Sequence, residues 1–511
     1  MNNLDVQDVQ NNFLEQKILY LNESQTRSML YIRKFLKDTT KYNFLLMGMA
    51  GSGKTTVITS AFNNTKLKIA FCAFTNKATQ VLKNASEKFN ISFSADFSTI
   101  HKLLMLEPKY LFNETEVSFK FDKTKIEHLK NYDVIIFDEC STISRELFQF
   151  IQQAWEWMNF KYDHKIKFIY LGDYWQLSPV GEESSIVFDT AIKQKWDVSK
   201  LNKVMRSGNE VILDINSSLI SWIDILRNNK KYTGHIDDFC RKYPYNLLSY
   251  RDFKDLYVDD LDDLLDFYMK EWRDNKQSDI VILTHSRKNC DSINNSIQDK
   301  IDLLCNRDLP EKRVLQKFYV GDRCCIDKPI EVSTIVRQLD NSSKIEYVIL
   351  DEHTNEYLYN GEIFDVMCTE DVKIKTPLNK FSYNPKYFDG QILKIRRINA
   401  VEEYEILYIK ESDVKESKNN IRMKTSRDFY LNIMNSFIKL YAGLSYGYCI
   451  TIYKSQGSEW NTVLINLNNI KWSIVGDHKS KTIDFIKKKA LFKTTYTAIS
   501  RASHNLKLFW R

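Results

Sequence analysis

A chain of 511 residues is too long for one ordinary core and long enough for about two to four domains. Hydrophobic residues make up 43% and charged residues 27%, both near the globular average, and no apolar run reaches the roughly twenty residues of a membrane span, so a membrane-spanning class is excluded. A net charge of +7 permits a polyanionic partner without requiring one.

The start, MNNLDVQDVQNN, lacks a basic segment followed by an apolar core, so no secretory signal is expected and residues 1–20 read as a tail of an intracellular protein. Four apolar runs follow: NFLLMGMA (43–50), KIAFCAF (68–74), DVIIFDEC (133–140) and KFIYLGD (167–173). Each ends where small or acidic residues begin, the pattern of a parallel sheet wrapped by helices. Between the second and third runs, LMLEPKYLFNETEVSFKFDK (104–123) has KYLF and VSFKF on either side of a polar NETE turn, which predicts a hairpin. The acidic stretch DDLDDLLDF (259–267) carries Leu at helical spacing and reads as a solvated amphipathic helix rather than a binding site.

From about Phe318 to Tyr408 the texture changes to short alternating segments broken by turns, including KIEYVILD, EYLYNGEIFDV, GQILKIRRI and EYEILYIK, which predicts an antiparallel β insert. The charged ESDVKESKNN (411–420) reads as an exposed loop. The α/β texture then returns in YGYCITIYKSQG, NTVLINL and NLKLFW. Nine cysteines are scattered along the chain, and the adjacent Cys324 and Cys325 are not spaced as metal ligands, so reduced core thiols are expected.

Chemistry enters at Gly48-Met49-Ala50-Gly51-Ser52-Gly53-Lys54-Thr55, a P-loop between a strand and a helix. Glycines let backbone N–H groups close around phosphate oxygens, Lys54 brings charge to the β and γ phosphates, and Thr55 offers its hydroxyl to Mg²⁺. Thr56 extends this cradle. The strand DVIIF ends in Asp138, suited to organise the metal, and Glu139, suited to orient and deprotonate water. A third strand ends in Gly172-Asp173-Tyr174-Trp175-Gln176-Leu177-Ser178-Pro179-Val180, where Gln176 is placed to sense the γ-phosphate.

Taken in order, these motifs resemble those of superfamily 1 helicases, in the RecD-like and Dda-like branch that moves 5′ to 3′, over nearly the whole chain. The resemblance implies an adenine-reading Gln25 in Leu21-Asn22-Glu23-Ser24-Gln25. It implies strand-binding loops at Phe74-Thr75-Asn76-Lys77-Ala78 and at Phe97-Ser98-Thr99-Ile100-His101, with Thr75, Asn76, Lys77, Phe97, Thr99 and His101 as nucleic-acid contacts. Arg206, at the end of LNKVMR, would face the γ-phosphate. Thr451 to Glu459 resembles motif V, giving Thr451, Lys454 and Ser455 to the strand and Gly457 and Glu459 to the nucleotide. Tyr496 to Ala502 resembles motif VI, with Arg501 as arginine finger. The chain departs from the family at Tyr453, where His is usual, at Ser178, where a second Pro is usual, and at Ser500, where Thr is usual.

The implied fold class is α/β, with two RecA-like P-loop domains in tandem, a β-hairpin insert in the first and an SH3-like β insert in the second. The expected borders are 21–205 for the first domain with its hairpin at about 105–124, 206–316 and 445–511 for the second, and 317–444 for the insert. The nucleotide would lie in a cleft whose closing and opening ratchets the strand. The hairpin is either the pin that splits a duplex, with Tyr110, Leu111, Phe112 and Phe119 on the first exposed pair, or a cover on a sheet edge. The stretch KFSYNPKYF either touches DNA or packs a β core. The implied activity is ATP- and Mg²⁺-dependent unwinding of DNA by a monomer on single-stranded and forked DNA, with replication or repair proteins as further partners. Its place would be cytoplasm, nucleoid or a viral replication compartment. The alternatives are an RNA helicase of the same superfamily, or a DNA-stimulated ATPase that remodels nucleoprotein without unwinding.

Overall fold

The computed structural model describes residues 21–73, 95–109, 118–179, 181–205, 209–228, 256–274, 279–307, 317–327, 330–339, 345–358, 360–375, 387–398, 400–409, 443–476 and 485–510. They fall into two compact units: one from the segments up to Tyr174 together with Ser184–Arg206, the other from Trp175–Glu183 and Ser207–Arg511. Among the described residues no helix is long and apolar enough to cross a membrane.

In the first unit, strands β1 (Asn43–Gly48), β2 (Ile69–Ala73), β3 (Ala95–Thr99), β6 (Val134–Phe137), β7 (Lys167–Gly172) and β8 (Asp197–Leu201) form one sheet. Its order is β3-β2-β6-β7-β1-β8, and every pairing is parallel. Strands β2 and β6 are buried at every residue, because both faces are covered, and this is why they read as continuous apolar runs rather than alternating ones. Helix Glu23–Lys37 begins with Asn22 and Gln25 in a reciprocal capping box and buries Met29, Ile32 and Phe35 on one stripe. Helix Arg145–Tyr162 is capped by Ser144, whose hydroxyl accepts from the Leu147 N–H, and ends on Asp163 in the left-handed region at φ 48°.

The adjacency of β6, β7 and β1 has a direct consequence. It brings the carboxyl ends of DVIIF, KFIYLG and NFLLMG side by side, the crevice where parallel α/β sheets hold their ligands. In the segment expected to form a hairpin, β4 (Glu107–Lys109) and β5 (Ser118–Lys120) pair antiparallel with Pro108 opposite Phe119. Its connecting residues, including Tyr110, Leu111 and Phe112, lie outside the described residues.

In the second unit, β9 (Tyr257–Val258), β10 (Ile280–Thr284), β18 (Cys449–Thr451), β19 (Trp460–Asn466) and β20 (Ala502–Phe509) form a parallel sheet in the order β18-β10-β19-β20-β9. The acidic stretch is the start of helix Leu261–Asp274, which buries Leu264, Leu265, Tyr268, Met269 and Trp272. The region read as a β insert is a second sheet of β11 (Arg323–Ile326), β12 (Ile330–Leu339), β13 (Ile345–Leu358), β14 (Ile363–Lys375), β15 (Tyr387–Arg397), β16 (Glu403–Ile409) and β17 (Leu444–Tyr446), paired mostly antiparallel. Its strands are longer than the short segments expected. IEYVILD of KIEYVILD, for example, falls within the 14 residues of β13, and Gly361 of the Asn360-Gly361 pair then turns the chain at φ 85°.

A buried cation joins this sheet to the parallel one. Arg323, 1% exposed, donates from Nε to Asp365 Oδ1 at 3.0 Å and from Nη1 to the Ile280 carbonyl at 3.0 Å and the Tyr268 hydroxyl at 3.4 Å. The surrounding apolar core is shared: Leu264, Ile282, Phe318, Phe364 and Tyr448 belong to one cluster. Removing one member of such a pair strands the other in a dry site. Arg323→Ala should therefore cost about 3–5 kcal/mol in guanidinium unfolding, while Arg323→Met with Asp365→Leu should recover most of that loss. A loss under about 1 kcal/mol for Arg323→Ala would place the pair among exposed salt bridges in energetic terms.

Candidate nucleotide and nucleic-acid sites

The P-loop leaves β1 at Gly48 and enters helix Lys54–Phe62 through Gly53, which sits at φ 83° and caps the helix without a side chain. A Cβ at Gly53 would displace the Gln25 side chain and one at Gly48 would displace Ser52 Oγ, and the left-handed φ at Gly53 itself favours glycine. The loop has few side chains of its own to hold it. Neighbours do so instead: Gln25 Nε2 donates to the Ser52 carbonyl at 3.0 Å, Met205 N–H to the Gly51 carbonyl at 2.8 Å, and the Ala50 N–H donates to Asp173 Oδ2 at 2.8 Å. Lys54 Nζ lies across the loop, donating to the Gly48 carbonyl at 2.9 Å and the Met49 carbonyl at 3.2 Å.

Gln25, 4% exposed, uses both ends of its amide within the chain, since Oε1 also accepts from the Asn22 N–H at 2.9 Å. Each end keeps a second hydrogen-bonding position, so this anchoring is compatible with reading a base edge. The Ser52 hydroxyl is buried with no hydrogen-bond partner among the described residues. Thr55 and Thr56 stand part-buried in the first turn of the helix.

Asp138 follows the last residue of β6 and Glu139 follows it at φ 51°, a left-handed conformation uncommon for a side chain with a Cβ. Burial raises the Asp138 pKa to about 7, and the Glu139 carboxylate adds to the shift. The Lys54 charge and the Glu139 N–H, which donates to Asp138 Oδ1 at 2.8 Å, oppose it. A buried carboxylate whose charge the site penalises, with a second carboxylate beside it, favours a bound cation. Together with the orphan Ser52 hydroxyl and the cradle above, the donor set fits a magnesium nucleotide. Behind them Cys140 is fully buried, and burial pushes its thiol well above the ordinary range.

In the second unit, Gln176 is 2% exposed in a segment fastened to helix Phe485–Ile499: the Leu177 N–H donates to Thr497 Oγ1 at 3.0 Å and Lys493 Nζ to Ser178 Oγ at 3.0 Å. Arg501, 4% exposed just beyond that helix, donates from Nε to the Thr497 carbonyl at 3.1 Å, from Nη1 to the Ser458 carbonyl at 3.2 Å and from Nη2 to Ser500 Oγ at 3.0 Å. Its guanidinium thus holds the turn containing Gly457, at φ 75°, and Glu459 against the start of β20. Arg206 lies outside the described residues.

Of the expected strand contacts, Thr75, Asn76 and Lys77 also lie outside the described residues. On β3, Phe97 stacks on Phe71 with ring centroids 5.4 Å apart, and Thr99 Oγ1 caps the turn Ile100–Leu103 by accepting from the Lys102 N–H. His101 packs on Phe119 of the hairpin at 4.6 Å, and burial lowers its pKa. In the second unit, the Thr451 and Ser455 hydroxyls are taken by the backbone of their own turn, and Lys454 is ion-paired with Asp327. The sequence reading missed Asp173 and Met205 as supports of the P-loop. An acid immediately after KFIYLG was a usable signal for the first, whereas nothing local marked the second.

Residues 8–182 match the AAA domain family. An uncharacterised protein, R530, of Acanthamoeba polyphaga mimivirus is 28% identical over 95% of this chain and 99% of its own length. The RecBCD enzyme subunit RecD of Buchnera aphidicola is 22% identical over 91% of this chain and 69% of its own length. The solved Pif1 helicase of Candida albicans superposes with a TM-score of 0.50 at 14% identity, covering 96% of this chain and 94% of that one. The chain resembles superfamily 1 helicases of the RecD and Pif1 type. At this identity the Pif1 likeness speaks to the fold, which is α/β and Pif1-like.

The Asp138 shift has a measurable consequence. An unfolded aspartate releases its proton near 3.8, whereas the folded, nucleotide-free chain keeps it to about 7, so the stabilisation is full below the first value and is lost as pH rises through the second. Asp138→Asn, permanently neutral, should melt like wild type near about pH 4, gain over it between about pH 4 and 7, and keep a constant advantage above. Thermal melts across that range check this, and parallel curves at all pH values would remove the assigned burial penalty.

Proposed function

We propose that the chain hydrolyses ATP with Mg²⁺ and uses the cycle to move 5′ to 3′ on single-stranded DNA and separate duplex. The observation that carries this reading is the meeting, at the ends of adjacent strands β6, β7 and β1, of a braced P-loop, Lys54, the charge-penalised Asp138 and the neighbouring Glu139. The loop amides with Lys54 hold the phosphates, and Thr55 with Asp138 would hold the metal, which when bound neutralises charge on the β and γ oxygens. Glu139, fixed by its left-handed backbone, orients water and takes its proton. Gln25 reads the base. Gln176, Arg206 and Arg501 answer to the γ-phosphate, and motif residues of the first unit, among them Thr99 and His101, follow the strand. The 5′-to-3′ direction rests on the branch that the chain's motifs resemble.

The test is ATPase activity with DNA and with RNA oligonucleotides, followed by unwinding of 5′-tailed and 3′-tailed duplexes. Stimulation by RNA alone favours an RNA helicase, and stimulation by DNA without strand separation favours a nucleoprotein remodeller. In Lys54→Ala, hydrolysis should fall to background while strand binding persists, because the phosphate charge is lost and the strand contacts are elsewhere. Turnover near wild type in that variant would sink the P-loop assignment.

The hairpin separates translocation from unwinding. Because Phe119 packs on His101, replacement by a Gly-Ser turn should be confined to residues 110–117, leaving β4, β5 and that contact in place. A motor without a wedge lets strands reanneal, each step restoring about 1.4 kcal/mol of stacking, so unwinding should drop steeply while DNA-stimulated ATPase stays near wild type. Equal losses in unwinding, ATPase and melting temperature would instead mark the hairpin as a structural cover.

A further inference from the structure

Strands β10 and β18 are parallel neighbours, with Thr284 opposite Thr451, so the loops that follow them emerge together at the carboxyl edge of the second sheet. At the end of β18 and in the turn that follows, Thr451 and Ser455 face inward. Thr451 is 8% exposed and Ser455 fully buried, and Lys454 is neutralised by Asp327, itself held by the Ser445 hydroxyl at 3.0 Å. Tyr453 faces outward, 39% exposed. Its ring rests beside the imidazole of His285, centroids 5.9 Å apart and planes tilted by 58°.

The loop after β10 that presents His285 is rigid. Asn469 Oδ1 accepts from the Thr284 hydroxyl at 2.6 Å and from the N–H groups of His285 and Ser286 at 2.9 and 3.0 Å, while Asn469 Nδ2 donates to Ser286 Oγ at 3.2 Å. Burial lowers the His285 pKa, so the ring is neutral near pH 7, and its Nδ1 has no hydrogen-bond partner among the described residues. The pair is therefore an uncharged aromatic surface on a fixed support. It is exposed on one side, at the sheet edge where ligands of α/β proteins bind.

We infer that Tyr453, backed by His285, is a stacking platform for one base of the single strand. This rests on the proposed strand-translocating activity and adds to it a contact that is indifferent to sequence, as a motor requires, since every base has a π-face. It also gives a physical role to the tyrosine that departs from the usual histidine of motif V.

The experiment uses the full chain and labelled oligo(dT), with affinity measured by fluorescence anisotropy at several salt concentrations. Loss of a stacked base in Tyr453→Ala should weaken binding roughly 5- to 100-fold, while Tyr453→Phe stays within about twofold of wild type. The salt dependence should be unchanged, because no phosphate contact is lost; removing one would lower the slope by about 0.7. An oligonucleotide carrying 2-aminopurine should be more strongly quenched by wild type and Tyr453→Phe than by Tyr453→Ala, a readout that a loss of stability alone would not reproduce. Binding by Tyr453→Ala equal to wild type overturns the platform, as does a Phe variant as weak as Ala or a reduced salt slope. If wild type itself fails to bind the oligonucleotide, the strand-translocating reading falls and the platform with it; if wild type binds and only the variant pattern fails, the platform alone falls.

Discussion

A P-loop must keep its amides turned toward a ligand, yet its glycines give it almost nothing with which to hold itself. In this chain three outside groups meet that constraint. Gln25 and Met205 seize the carbonyls of Ser52 and Gly51 from one side, and Asp173 takes the Ala50 amide from the other. Each comes from a different part of the chain: the capped start of a helix, the segment beyond β8, and the end of β7. The sheet order makes this possible, because β7 and β8 flank β1 on its two sides. The first unit is in this sense built around its loop, and Gln25, the residue proposed to read the base, is also a structural tie.

The second unit solves a different problem, keeping loops from two unlike sheets in fixed relation. Arg323 spans β11, β14 and the first residue of β10, and Gln298 extends the polar seam by accepting from the Tyr448 hydroxyl at 2.6 Å and donating to Asp302 at 2.9 Å. A buried seam of this kind adds little net stability over an apolar one, but it has few alternative arrangements. The insert therefore belongs mechanically to the parallel sheet. Asp327, at the end of β11, can in consequence meet Lys454 of the motif V turn.

Much of this was legible in the sequence. Runs such as 43–48, 134–137 and 167–172 are buried on both faces, so apolarity alone marked them, and the P-loop carried its own spacing. Strand β8, DVSKL, was missed because it lies at the sheet's end, where Val198 and Lys200 face solvent and no apolar run forms. The insert's strands were found but shortened, since charged residues such as Asp371 and Lys373 stand on an exposed face and look like breaks. Asp173 was quoted within its motif without a role, because an acid after a strand has no meaning until the neighbouring strand is known.

The motif V turn shows the limit of reading function from polar residues. Thr451, Ser455 and Lys454 were natural choices for a nucleic-acid contact by chemical type. A tight turn, however, has backbone groups that must be satisfied locally, and short hydroxyl side chains are the residues best able to do it. Ser455 donates to the Ile452 carbonyl at 2.7 Å and Thr451 accepts from the Lys454 N–H at 3.4 Å, so both hydroxyls serve the turn. What such a turn can present is the side chain it does not need, and here that is an aromatic ring. The sequence marked Tyr453 as a departure from the family pattern. Its outward direction and its histidine neighbour follow from the pairing of β10 with β18, which no local spacing could reveal.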